Sequence, residues 1–117
     1  MISTELGVRA CGDYLMVTLC GELDVLDAPA VGAVLATTVP GAPRVVIDLT
    51  GLEYIDCCAL CVLSRARSRA RCAGGDLLLA APGALVRHVI ALAAMSADFT
   101  VHASAGEAVL AAGWTST

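Results

Sequence analysis

Two short apolar runs, Arg44-Val-Val-Ile-Asp-Leu49 and Asp76-Leu-Leu-Leu-Ala80, stand on either side of a stretch patterned as a helix, Cys57 to Cys72. Runs of this kind, with no polar residue alternating through them, suit strands covered on both faces of a sheet. Two such strands in parallel need a crossover of a dozen or more residues, and a helix usually supplies it. On the intervening stretch Ala59, Leu63, Ala66 and Ala70 fall on one side while Arg65, Arg67, Ser68 and Arg71 spread around the rest, as on an amphipathic helix. Gly74-Gly75 stops it in the usual C-terminal manner.

The remaining chain extends the alternation. Tyr14-Leu-Met-Val-Thr-Leu-Cys20 reads as a strand that pairs with Ile2 to Arg9 across the turn Cys11-Gly12-Asp13. Asp27-Ala-Pro29 opens a helix carrying Val31, Val34 and Leu35, and Pro40-Gly-Ala-Pro43 ends it. After Leu49 the chain is read as a short loop leading to an acidic cap, Asp56, at the start of the Cys57 helix. A helix over Gly83 to Ala94, a last strand over Phe99 to His102 and a helix over Ala105 to Ala112 capped by Ser104 complete the order, and the final Trp-Thr-Ser-Thr is expected to fray. Strands alternating with helices imply an α/β fold, an open sheet crossed by right-handed connections. One domain is expected over all 117 residues.

Hydrophobic residues make up 58% of the chain. The longest apolar stretch, Leu77 to Val86, is broken by Pro82-Gly83 and stopped by Arg87, well short of the ~20 residues of a membrane span. No membrane insertion is expected. The start, Met-Ile-Ser-Thr-Glu-Leu-Gly, lacks a basic region followed by an apolar run, which points to a cytoplasmic protein. There the six cysteines are expected as reduced thiols rather than a disulfide framework. A net charge of −4 and a pI near 4.8 exclude nucleic acid as the expected partner, because phosphate-backbone binding needs a basic surface.

Three segments resemble one family. Asp48-Leu-Thr50 followed by Asp56-Cys57-Cys58-Ala59-Leu60 is similar to the signature of the STAS domain family of anti-sigma-factor antagonists and sulfate-transporter tails, in which Asp-Leu-Ser leads to Asp-Ser-Ser-Gly-Leu. Gly21-Glu22-Leu23-Asp24 resembles that family's Gly-Glu-Leu-Asp before a helix opening with Ala-Pro, and Arg71 to Pro82 is similar to its stretch between the second helix and the third. The resemblance implies a STAS fold, with a central mixed sheet of about five strands and four helices packed mainly on one side. It implies a protein that binds an anti-sigma factor, a serine-protein kinase, and so frees a sigma factor. The implied contact residues are Asp24, Asp56, Cys57, Cys58, Ala59 and Leu60. In the family, phosphorylation of the second signature serine ends binding, and Cys58 stands there. Neither Cys57 nor Cys58 carries a hydroxyl, so no phosphorylation of the signature is expected; Thr50 and Ser64 are nearby hydroxyls outside that position.

The residues have other readings too. Asp56 as a helix cap would accept from the N–H of Cys58 or Ala59. Asp24 follows a strand end with no cap to make, leaving partner contact or plain solvation. Cys57, Cys58 and Cys61 are small side chains filling their sites, or Cys58 and Cys61 are a thiol switch replacing the phosphate. No metal is expected, since a second Cys pair or His pair with ligand spacing is missing. Cys58-Ala-Leu-Cys61 at a strand-to-helix junction resembles the thioredoxin motif, but no tryptophan precedes it and Pro82 follows its strand. Without a glycine-rich phosphate loop or an evident catalytic set, neither enzymatic activity nor a cofactor is expected. Two alternatives to the sigma-factor role remain: a STAS subunit of a lipid-transport ATPase complex, and a redox-sensing binding module.

Overall fold

The computed structural model describes residues 4–93 and 99–115. In chain order the elements are β1 (Thr4–Cys11), β2 (Tyr14–Leu23), α1 (Ala28–Thr38), β3 (Arg44–Asp48), β4 (Leu52–Ile55), α2 (Cys57–Cys72), β5 (Asp76–Ala80), α3 (Ala84–Leu92), β6 (Val101–His102) and α4 (Ala105–Ala112). The sheet runs β1-β2-β3-β5-β6, with β4 paired to β2. β1 and β2 are antiparallel and close through Cys11↔Tyr14. The intervening Gly12 takes φ 66°, a left-handed conformation that glycine adopts without a Cβ penalty. The other pairings are parallel, so α1, α2 and α3 each lie in a crossover.

The unbroken apolar runs are explained by burial on both faces. Val45, Ile47, Leu77 and Leu79 point into the larger core with residues of α1, α2 and α3, whereas Val46, Leu78 and Ala80 point the other way, into a smaller cluster with Tyr14 and Ala108 of α4. Three helices thus cover one face and α4 covers part of the other. Arg67 sits nearly buried on α2 because its Nε donates to Asp76 Oδ1 at 2.9 Å and its Nη2 to Thr100 Oγ1 at 3.2 Å, tying the helix to β5 and to the residues before β6.

Sequence expectation and structure part company at four places. Residues 52–55, read as loop, form β4: only Leu52 and Ile55 are buried, so no apolar run marks the strand. It extends the line of β3 along the end of β2, past a register shift between Gly21 and Glu22. The last strand is shorter than expected; Phe99 is buried without sheet pairing, and the Thr100 carbonyl accepts from Leu79 N–H at 3.0 Å. The end of the chain does not fray at Trp114 and Thr115. Trp114 stacks on Tyr14 with ring centroids 6.1 Å apart, the Thr115 carbonyl accepts from Asp13 N–H at 2.9 Å, and Thr115 N–H donates to Asp13 Oδ2 at 3.1 Å. Asp27 stands at the N-cap of α1, yet its side chain makes no cap hydrogen bond. Ile2, Ser3, Ala94, Ser116 and Thr117, assigned to a strand, a helix and the tail from sequence, lie outside the described residues.

Candidate functional site

β2 and β4 end side by side, with Leu23 opposite Ile55 and Asp56 N–H donating to the Leu23 carbonyl at 3.2 Å. The chain leaves the sheet at Asp24 and at Asp56, so the starts of α1 and α2 come together beyond the carboxyl ends of parallel strands. That is where open α/β sheets present their binding surfaces.

Asp56 holds the junction with both carboxylate oxygens. Oδ1 accepts from Ala59 N–H at 2.9 Å, capping α2, and Oδ2 accepts from Val25 N–H at 2.9 Å. The expected cap is therefore present at Ala59, together with a second tie that sequence reading did not foresee. Asp24 has local work as well, a role beside the expected readings of partner contact or plain solvation. Its Oδ1 accepts from Leu26 N–H at 2.9 Å, and its carbonyl accepts from Asp27 and Ala28 N–H. It shapes the turn into α1, as a short acidic side chain does by bonding backbone two residues on.

These ties display an apolar pair. Val25 and Leu26 are 57% and 83% exposed, two adjacent apolar side chains presented together at the junction. Beside them Cys57, Cys58 and Cys61 are exposed free thiols. An open groove of about 440 Å³ separates Val25 and Pro29 on one side from Cys58, Cys61, Val62 and Arg65 on the other.

Two of the residues expected at the contact surface are not on it. Ala59 and Leu60 are both wholly buried, because the third and fourth positions of α2 face the core with Leu63, Ala66 and Ala70. They support the surface from beneath and cannot touch a partner. Conversely, Val25, Leu26 and Arg65 were missed as site residues. The signal that could have found the first two is an apolar pair placed in a polar turn immediately after Asp24.

The alternative hydroxyls lie elsewhere. Thr50 Oγ1 donates to Asp48 Oδ1 at 2.6 Å and Thr50 N–H donates to the same oxygen at 3.0 Å, in the turn between β3 and β4. Ser64 is half-buried one turn further along α2 than the groove's Cys61. Among the described residues no group of three or more His, Cys, Asp and Glu is arranged to hold a metal ion, and no helix is long and apolar enough to cross a membrane.

Comparison with known proteins agrees with this fold. An anti-sigma factor antagonist from Mycobacterium paratuberculosis superposes with a TM-score of 0.85 at 24% identity, over 95% of this chain and 95% of that one. The Bacillus cell fate determinant SpoIIAA in its phosphorylated form superposes with a TM-score of 0.68 at 18% identity, over 92% of this chain and 97% of that one. The murine anion transporter Slc26a9 contains a similar unit, TM-score 0.75 at 20% identity, matching 90% of this chain but 18% of the transporter. Among curated proteins none matches this chain. The family model described as the STAS domain matches residues 6–108, and with the strand order, the Asp56 junction and the signature segment in place, the chain belongs to the STAS domain family.

Proposed function

We propose that this protein is an anti-sigma-factor antagonist, a binding module that captures an anti-sigma factor of the serine-protein-kinase type and thereby releases a sigma factor, with no catalytic role of its own. The observation that carries the reading is the exposed pair Val25 and Leu26, held by the Asp56 and Asp24 carboxylates against the exposed start of α2. An apolar patch on a rigidly tied turn, rimmed by polar groups, fits a protein partner better than a small substrate. The likeness to an anti-sigma factor antagonist over nearly the whole of both chains supports the same role.

The usual control of such a surface is out of reach for this chain. Cys58 is the second residue of α2, where helix N–H groups and the dipole tolerate a phosphate, but a phosphate there adds about two negative charges beside Asp24 and Asp56 and spoils the contact. A serine kinase has no hydroxyl to use at Cys57 or Cys58. The surface is therefore competent for binding whenever the thiols are free.

The test is capture from native lysate by the tagged chain under reducing conditions, beside a Leu26→Glu variant. Capture of an identified kinase-type anti-sigma factor is expected, and Leu26→Glu is expected to weaken it about tenfold or more while leaving stability within about 0.5 kcal/mol, since Leu26 touches little in the free protein. Equal capture by the variant would remove this surface from consideration. The likeness to a unit of an anion transporter favours a second reading, a domain serving a transport complex; capture of a transporter ATPase in place of a kinase would establish that reading.

A further inference from the structure

We infer that Cys58 and Cys61 form a reversible disulfide on exposure to peroxide, and that this covalent modification remodels one wall of the docking groove. The inference rests on the proposed docking role of that groove. Three observations select this pair among six cysteines. Both side chains are exposed, both line the same open groove, and they stand three residues apart on α2. On an α-helix that spacing places the Cα atoms about 5 Å apart, inside the range a disulfide spans. Cys57 is exposed too and, four residues before Cys61, also neighbours it on the helix surface, but it does not line the groove. The other three are remote: Cys72 ends α2 four turns on, Cys20 lies half-buried behind the Gly51 turn, and Cys11 sits at the hairpin end of β1.

The chemistry balances with hydrogen peroxide as the oxidant. One thiol attacks the O–O bond, becoming a sulfenic acid and releasing water. The second thiol then displaces the sulfenic oxygen as a second water, and the S–S bond forms. Two thiols lose two hydrogens and the peroxide gains two electrons; a dithiol such as dithiothreitol reverses the step. The product locks both sulfurs onto the groove wall opposite Val25 and Pro29, removes their freedom to adapt to a docked side chain, and requires no phosphate. A cysteine at position 58 then exchanges a kinase-driven signal for an oxidant-driven one at the same surface.

The decisive experiment treats the full chain with hydrogen peroxide, blocks remaining thiols, and maps peptides without reduction. A link between Cys58 and Cys61 is expected, kept in Cys57→Ser and lost in Cys58→Ser and Cys61→Ser. Amide NMR signals of Val25, Ala28, Val62 and Arg65 are expected to shift on oxidation and return with dithiothreitol, while the indole signal of Trp114, far along the molecule, stays in place and reports an intact fold. Absence of the link, or a link that leaves those four signals unmoved, overturns the inference. With the kinase captured by the reduced chain, oxidation is expected to weaken binding about tenfold or more; unchanged capture by the linked protein overturns the effect on docking while leaving the docking function standing. A reduced chain that captures no kinase defeats the proposed function instead, and the peptide map and NMR shifts still decide the disulfide.

Discussion

Each oxygen of the Asp56 carboxylate accepts a different backbone N–H, that of Ala59 in its own helix and that of Val25 across the junction. The first was legible in sequence, because an acid directly before a helix-patterned stretch is a cap. The second joins residues 31 positions apart and has no local signature. The cap alone contributes about 1 kcal/mol, and a bond to a charged acceptor adds more, up to about 1.5 kcal/mol at a partly solvated site. Asp56→Ala is expected to destabilise the protein by about 2 kcal/mol in urea denaturation. Asp56→Asn, which keeps one carbonyl oxygen but loses the second acceptor and the charge, is expected to lose about half of that. Because Asp56 positions Val25, the alanine variant should also weaken partner capture through the displaced turn. The same logic limits what the signature reveals: Ala59 stands at its glycine and Leu60 matches its leucine, yet helical geometry turns both into the core.

The C-terminus of α2 shows an element whose ending was written plainly in the chain. Gly75 N–H donates to the Ala70 carbonyl at 2.8 Å and Gly74 N–H to the Arg71 carbonyl at 3.1 Å, with Gly74 at φ 90°, the paired bonds that close a helix through a left-handed residue. Gly75 is required for a different reason. A Cβ there would stand 2.1 Å from the Pro43 carbonyl oxygen, the same oxygen that accepts from Asp76 N–H to start β5 beside β3. Backbone cannot step aside as a flexible side chain can, so Gly75→Ala is expected to cost on the order of 3 kcal/mol or more, read as a lower midpoint in thermal unfolding. Gly74→Ala, with open space around its Cβ position, should cost only the left-handed strain of about 1 kcal/mol. By contrast β4 escaped sequence reading because its stability comes from pairing with β2, not from composition. Leu52 and Ile55 are buried while Glu53 and Tyr54 face out, a four-residue pattern with neither a period of two nor an apolar run.

Across the whole molecule the junction of Asp24 with Asp56 and the Trp114 end lie at opposite ends of one strand. β2 begins at Tyr14, under Trp114, and finishes at Leu23, beside Asp24 and Asp56; ten residues of strand span about 30 Å, most of the 34 Å long axis. The alternation of strands and helices made the layered α/β arrangement readable from sequence, since the period of each segment reports how it is buried. The docked end was not readable, because Trp114 follows a helix stop and its partner Tyr14 lies a hundred residues earlier. Its ties are nonetheless several: the ring stack, the two hydrogen bonds between Thr115 and Asp13, and the ion pair of Asp13 with Arg44 at 3.6 Å. The ion pair is exposed and contributes little; the half-buried indole contributes most through the area it covers. Trp114→Ala is expected to lower stability by about 2 kcal/mol in urea denaturation followed by circular dichroism, and to leave capture of the proposed anti-sigma partner unchanged at temperatures where the variant remains folded. A loss of capture by the folded variant would mean that the two ends communicate through β2, and that the docking surface is set by the whole sheet and not by the Asp56 junction alone.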